Sequence, residues 1–192
     1  MLYSTLEFFQ AIDFSNDINY QGDFWWGIVF SIHVFFGTTA LLIGWTQFYS
    51  VWRNKFKKAH RLIGIIYICS ALLSALAAIY IGLFAPGIFS AIGFVSLGFI
   101  WFYTTYSALL LAKDKKYMAH EFRMYYSYAA CLSAITFRVW LPFLELIFLD
   151  TVLAYSIVAW LSWVPNLWIA HYLLQHKRAT LSPKKIQTTP VD

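Results

Sequence analysis

The sequence predicts an all-α fold, a polytopic membrane bundle of five transmembrane helices, on three observations. Of 192 residues 60% are hydrophobic and only 12% are charged, whereas soluble domains are about half apolar and a quarter charged. The apolar residues gather into five runs, at 24–49, 62–84, 88–112, 124–146 and 151–175, each long enough for the ~20 residues that a helix needs to cross a bilayer. Every Lys and Arg except Arg138 lies in the connections on one side of those runs or in the C-terminal tail. Only helices and closed barrels satisfy the backbone in lipid, and runs of this length exceed the ~10-residue alternating strands of a barrel.

The elements follow in order. Residues 1–23 carry no basic stretch ahead of an apolar run, so they do not read as a signal peptide. Ser4 with Glu7 fits a capping box, and Leu2, Leu6, Phe9 and Ile12 recur at helical spacing, which predicts an amphipathic helix on the outer surface. Trp25 and Trp26 mark the outer interface of span 1, and Trp45, Tyr49 and Trp52 its inner end. Pro86-Gly87 breaks the chain between spans 2 and 3, and 113–116 is a short polar connection to span 4. In span 5, Pro165 deprives the Leu161 carbonyl of its helical donor, a defect that Asn166 and Ser162 can cover. Small residues one turn apart, Ala40/Gly44, Ser70/Ser74 and Ala71/Ala75, predict close helix packing. Residues 24–176 thus form one membrane domain, and 177–192 read as a disordered cytoplasmic tail.

Charge sets the orientation. Arg53, Lys55, Lys57, Lys58 and Arg61, then Lys113, Lys115, Lys116 and Arg123, then Lys177, Arg178, Lys184 and Lys185 all fall on one face when the spans are odd in number. Positive loops stay inside, so the N-terminus is expected outside and the C-terminus in the cytoplasm, in the cell (inner) membrane. The formal charge of +5 does not imply nucleic acid, which needs basic residues gathered on one soluble face. Cys69 and Cys131 lie inside apolar runs and offer neither a disulfide framework nor zinc spacing.

Ionisable residues at membrane depth are functional candidates, and two stand out. His33 lies about 13 Å below the outer interface and Arg138 about 22 Å above the inner one at 1.5 Å per helical residue. Both therefore fall in the outer half. There they either line a pocket for an anionic head group, a quinone oxygen or a haem propionate, or serve structurally, with Arg138 snorkelling outward. At the inner face His60, His120 and His171 share one layer, where imidazoles either ligate a metal or haem iron or touch lipid phosphate. If spans 2 and 4 face each other, Cys69 and Cys131 share a depth and come within reach of a short thiol crosslinker.

His33 with Gly37, Gln47, Arg53, His60-Arg61-x-x-Gly64, Tyr67, Gly93-Phe94, Trp101, His120, Met124, Ser127-Tyr128-Ala129 and Arg138 resemble the bacterial membrane family catalogued as domain of unknown function 2306. That family often carries Arg where this chain has Tyr126. His33-x3-Gly37, Gln47 and His60-Arg61-x2-Gly64 also resemble two consecutive helices of the transmembrane ascorbate-dependent cytochrome b family. The second resemblance implies a b-type haem with His60 and His120 as axial ligands. His33 and Arg138 would serve it from the outer side, although no second outer histidine is present for another haem. The expected function is electron transfer linked to haem b or quinone within the lipid bilayer. The alternative is a cofactor-free membrane subunit with a protein partner, or a small transporter.

Overall fold

The computed structural model describes residues 24–49, 53 and 55–181, the side chains of 179–181 excepted. The expected surface helix at 1–23, Trp52 and most of the tail lie outside the described residues. Helix α1 spans Phe24–Gly44 and runs into a 3-10 turn, Trp45–Phe48. Then follow α2 Lys57–Gly82, α3 Ile88–Lys113, α4 Tyr117–Cys131, α5 Ser133–Phe148, α6 Thr151–Leu161 and α7 Val164–Leu181. No strand occurs among the described residues. Five stretches are long and apolar enough to cross a membrane: Phe24–Phe48, Lys57–Gly82, Ile88–Lys113, Tyr117–Phe148 and Thr151–Arg178.

Local chemistry sets the boundaries. Gly87, at φ +77°, takes the left-handed backbone that only glycine adopts at little cost, and α3 starts at the next residue. Asp150 caps α6 by accepting from the backbone N–H of Val152 at 2.9 Å and of Leu153 at 3.2 Å, which satisfies two otherwise orphaned donors. The last helix runs to Leu181, past the expected start of the tail at 177. Lys177 and Arg178 hold it there, over the rings of Tyr125 and Phe122 at 5.2 and 4.6 Å.

Spans 4 and 5 are each interrupted, which the apolar runs did not foretell for span 4. The first break is at Leu132 and the second at Ser162-Trp163. They are tied together: the Thr136 hydroxyl donates to the Ser162 carbonyl, and the Asn166 amide donates to the same carbonyl at 2.9 Å and to Thr136 Oγ1 at 3.2 Å. Asn166 thus covers the carbonyl of Ser162, the residue after the one expected from Pro165.

Helices α1, α2 and α3 pack in chain order, α4 lies on α3 and reaches back to α1, and α5 pairs with α6. Helix α6 also rests on α3, and α7 on α4. The face of α2 turned into this bundle carries Tyr67, Ala71 and Ser74, all buried, at the i, i+4, i+7 spacing of one helical stripe. His60 and Gly64 continue that stripe toward the inner end. Cys69 stands two residues, or about 200°, from Tyr67 and is exposed, whereas Cys131 is buried. The two thiols do not face each other, because equal depth leaves rotation about the helix axis undetermined.

Candidate functional site

Polar side chains enter the bundle at three levels. At the inner level, His60 near the start of α2 and His120 near the start of α4 lie within electrostatic reach of one another. The His120 ring places Nδ1 2.8 Å from the Ala108 carbonyl. A carbonyl cannot donate, so Nδ1 carries a proton, and in the neutral ring Nε2 keeps its lone pair. Ligating histidines are commonly oriented by such a bond on the other ring nitrogen. His60 is half-buried and its ring makes no hydrogen bond among the described residues. One turn above it, Gly64 leaves room for the buried Gln47 amide, whose Oε1 would stand 3.4 Å from a Cβ at that position. That oxygen is buried without a hydrogen-bond partner.

His171 does not join this pair. It is exposed, bonded to the Tyr126 hydroxyl at 2.8 Å and to the Gln175 amide at 2.8 Å, so the expected layer of three imidazoles reduces to two. Among the described residues no three His, Cys, Asp or Glu side chains come together as a metal site. The inner edge is instead fastened by Glu121, which pairs with Arg53 at 3.3 Å and Lys177 at 2.7 Å. One carboxylate thereby joins the connection after span 1 to spans 4 and 5. Sequence reasoning passed over Glu121, although an acidic residue on a mainly basic face was the available signal.

At the middle level a buried hydroxyl chain crosses the bundle. Tyr67 Oη lies 2.8 Å from Ser127 Oγ, Ser127 Oγ 2.7 Å from Thr105 Oγ1, and Thr105 donates to the Trp101 carbonyl at 2.7 Å. The Trp101 indole N–H lies beside Tyr67 without closing a hydrogen bond. Two rings fill the space beneath. A Cβ on Gly44 would come within 2.5 Å of Tyr128 and 2.8 Å of Tyr67, and Tyr128 donates to the Leu41 carbonyl at 3.2 Å. Much of the motif that carried the family resemblance is therefore packing and hydrogen bonding at the centre of the bundle. Thr105 and Ser74 were not singled out as polar partners in the sequence.

The outer level joins α1 to α2. His33 Nδ1 sits 3.0 Å from both the carbonyl and the hydroxyl of Ser74, while that hydroxyl donates to the His33 carbonyl at 2.9 Å. The serine proton is thus committed, so Nδ1 must donate, and in the neutral ring Nε2 keeps its lone pair. Gly37, one turn on, makes the contact possible, since a Cβ there would stand 2.9 Å from Ser74 Oγ. Arg138 is exposed on α5 and donates to the Ala134 carbonyl at 2.7 Å. It lies within electrostatic reach of His33.

No curated protein and no solved structure matches this chain. A family model described as a predicted membrane protein, DUF2306, matches residues 30–174, a stretch that contains all three polar levels. The chain is a membrane protein of the DUF2306 family.

Proposed function

We propose that this membrane protein carries electrons through a b-type haem held at its inner face by His60 and His120. The observation that supports the reading is the prepared His120 imidazole, whose Nδ1 is committed to Ala108 while Nε2 keeps its lone pair in the neutral ring, set against His60 on a non-adjacent helix. The donor chemistry fits: neutral imidazoles are ordinary haem ligands, and Arg53, within electrostatic reach of His60, is suited to a propionate. Tyr67 and Tyr128 occupy the interior above this level. Bound haem would supply one-electron chemistry, with a membrane quinone as a natural exchange partner. The basic inner connections support a cytoplasmic placement of this face, with the N-terminus outside, in the cell membrane.

A second reading, a cofactor-free subunit or small transporter, is favoured by the paired interruptions at Leu132 and Ser162, because discontinuous helices are common in transport sites. A reduced-minus-oxidised spectrum of the purified protein, expressed with ample haem, separates the two. The haem reading expects a low-spin signal that His60→Ala and His120→Ala each abolish or shift and that His176→Ala, at the far end of α7, leaves intact. A colourless wild-type protein overturns it and leaves the second reading.

A further inference from the structure

Tyr117 opens the fourth membrane-crossing stretch and Arg178 closes the fifth. Two crossings separate these ends, so both stand at the same surface of the bilayer, where headgroups lie. There α4 and α7 leave an open cleft of about 560 Å³ lined by Lys116, Tyr117, Met118, Phe122 and Arg178, within the ~300–1,000 Å³ of ordinary ligand sites. Tyr117 and Met118 are exposed and give it a largely apolar wall. The charge of the cleft is one-sided. Arg178 stands over the Phe122 ring at 4.6 Å, which offers no oxygen, and it forms no ion pair among the described residues. Lys116 pairs with Asp114 at 3.3 Å, but those side chains are 65% and 58% exposed, and pairs so open to water hold weakly. Asp114 is outnumbered by Lys113, Lys115 and Lys116. The acid of α4, Glu121, is taken up by Arg53 and Lys177.

We propose that this cleft seats an anionic phospholipid, its phosphodiester held by Lys116 and Arg178 and its glycerol and acyl chains laid along Tyr117 and Met118. The occupant follows from charge and depth. One cation without an anion and one loosely paired call for a negative group with no ammonium of its own, whereas a zwitterionic headgroup brings a cation against them. Basic pockets between membrane helices hold acidic headgroups in this way. Depth favours a lipid over a soluble anion, because the bilayer presents phosphates at this height and acyl chains to the apolar wall. The chain's own residues 182–192 are no match in charge, since they bring Lys184 and Lys185 against Asp192 alone. The site rests on the five crossings and stands whether or not haem binds.

The test is lipid binding to the full chain in a non-ionic detergent, read by native mass spectrometry, with phosphatidylglycerol and phosphatidylcholine of identical acyl chains. The first phosphatidylglycerol should bind more tightly by about tenfold or more; equal affinity overturns the proposal. Lys116→Gln with Arg178→Gln should lower phosphatidylglycerol affinity about 25-fold, or about fivefold per cation, and leave phosphatidylcholine unchanged. Both side chains are exposed, so this variant should melt with the wild type. Lys57→Gln with Lys58→Gln removes the same charge from the exposed start of α2 and should weaken binding by less than about threefold, because salt screens distant charges. A loss there as large as in the cleft variant means diffuse attraction to the whole basic face and overturns the site, as does unchanged affinity in the cleft variant. Should the double variant not fold, Lys116→Gln alone must cost about fivefold, or the assignment fails. Free glycerol phosphate at the same concentration should not displace the lipid; full displacement gives the cleft to a soluble phosphate and overturns the lipid.

Discussion

Replacing Gly44 by Ala should destabilise the bundle more than a single methyl group suggests. The new Cβ would lie 2.5 and 2.7 Å from Tyr128 ring carbons and 2.8 Å from a Tyr67 ring carbon. Neither ring can yield freely, because Tyr67 is buried and bonded to Ser127 at 2.8 Å while Tyr128 is bonded to the Leu41 carbonyl at 3.2 Å. Overpacking of this kind costs about 1–3 kcal/mol. Loss of the two hydrogen bonds adds about 1 kcal/mol each, and the better helix propensity of Ala returns at most about 1 kcal/mol. The net loss is about 2–4 kcal/mol, or a fall in melting midpoint of about 5–10 °C for a chain of this length. Gly27→Ala is the matched control, since a Cβ there meets nothing within 4 Å and should leave the midpoint unchanged or slightly raised. Thermal unfolding of both variants in one detergent decides the matter. A Gly44→Ala protein that melts with the wild type or above it refutes the argument that the two rings are held in place.

Three further outcomes are expected. Glu121→Gln removes two partly exposed ion pairs worth about 0.2–1 kcal/mol each; its midpoint should fall by a few degrees at low salt and approach wild type at 1 M salt, where the screening length is about 3 Å. A salt-independent deficit would mean that Glu121 acts through packing. A short bis-thiol crosslinker should fail to join Cys69, which is exposed, to Cys131, which is buried, and efficient intramolecular joining would show that α2 is rotated from the orientation described. A reporter fused after residue 192 should be active only on the cytoplasmic side and one fused ahead of residue 1 only outside; an outward C-terminal signal would be incompatible with five crossings and the charge asymmetry together.

The spans were legible in the sequence because membrane insertion is decided by run length and mean polarity, which local composition carries. Helix ends were less so: α4 starts at Tyr117, seven residues before its apolar run, and Phe122 in that early stretch is buried among polar neighbours Glu121 and Arg123. Depth along an axis was also readable: His33 and Arg138, and likewise His60 and His120, lie within electrostatic reach of each other. Rotation was not. Cys69 and His171 were assigned to facing surfaces by depth alone, and each proved to point outward. The turn at Leu132 left no mark on the apolar run of span 4, and neither did the hydrogen bond by which Thr136 reaches across to the Ser162 carbonyl. Contacts between distant segments of this kind leave no periodic mark on either one.

The two interruptions have a mechanical consequence. They fall at the inner ends of α5 and α6, which are joined at their other ends by the turn at Leu149 and Asp150. Together they delimit a helical hairpin, Ser133 to Leu161, set off from the rest of the chain by a turn residue at Leu132 and a two-residue turn at Ser162-Trp163. An unbroken helix resists bending through its ladder of backbone hydrogen bonds, and bending concentrates where that ladder lapses. Bending there would tilt the hairpin against α3, on which α6 rests. Thr136 and Asn166 act as its clasp, because both grip the Ser162 carbonyl beside the joints. Any tilt would carry Arg138 with it and leave His33 behind on α1, so the distance between those two side chains measures how far the hairpin has swung.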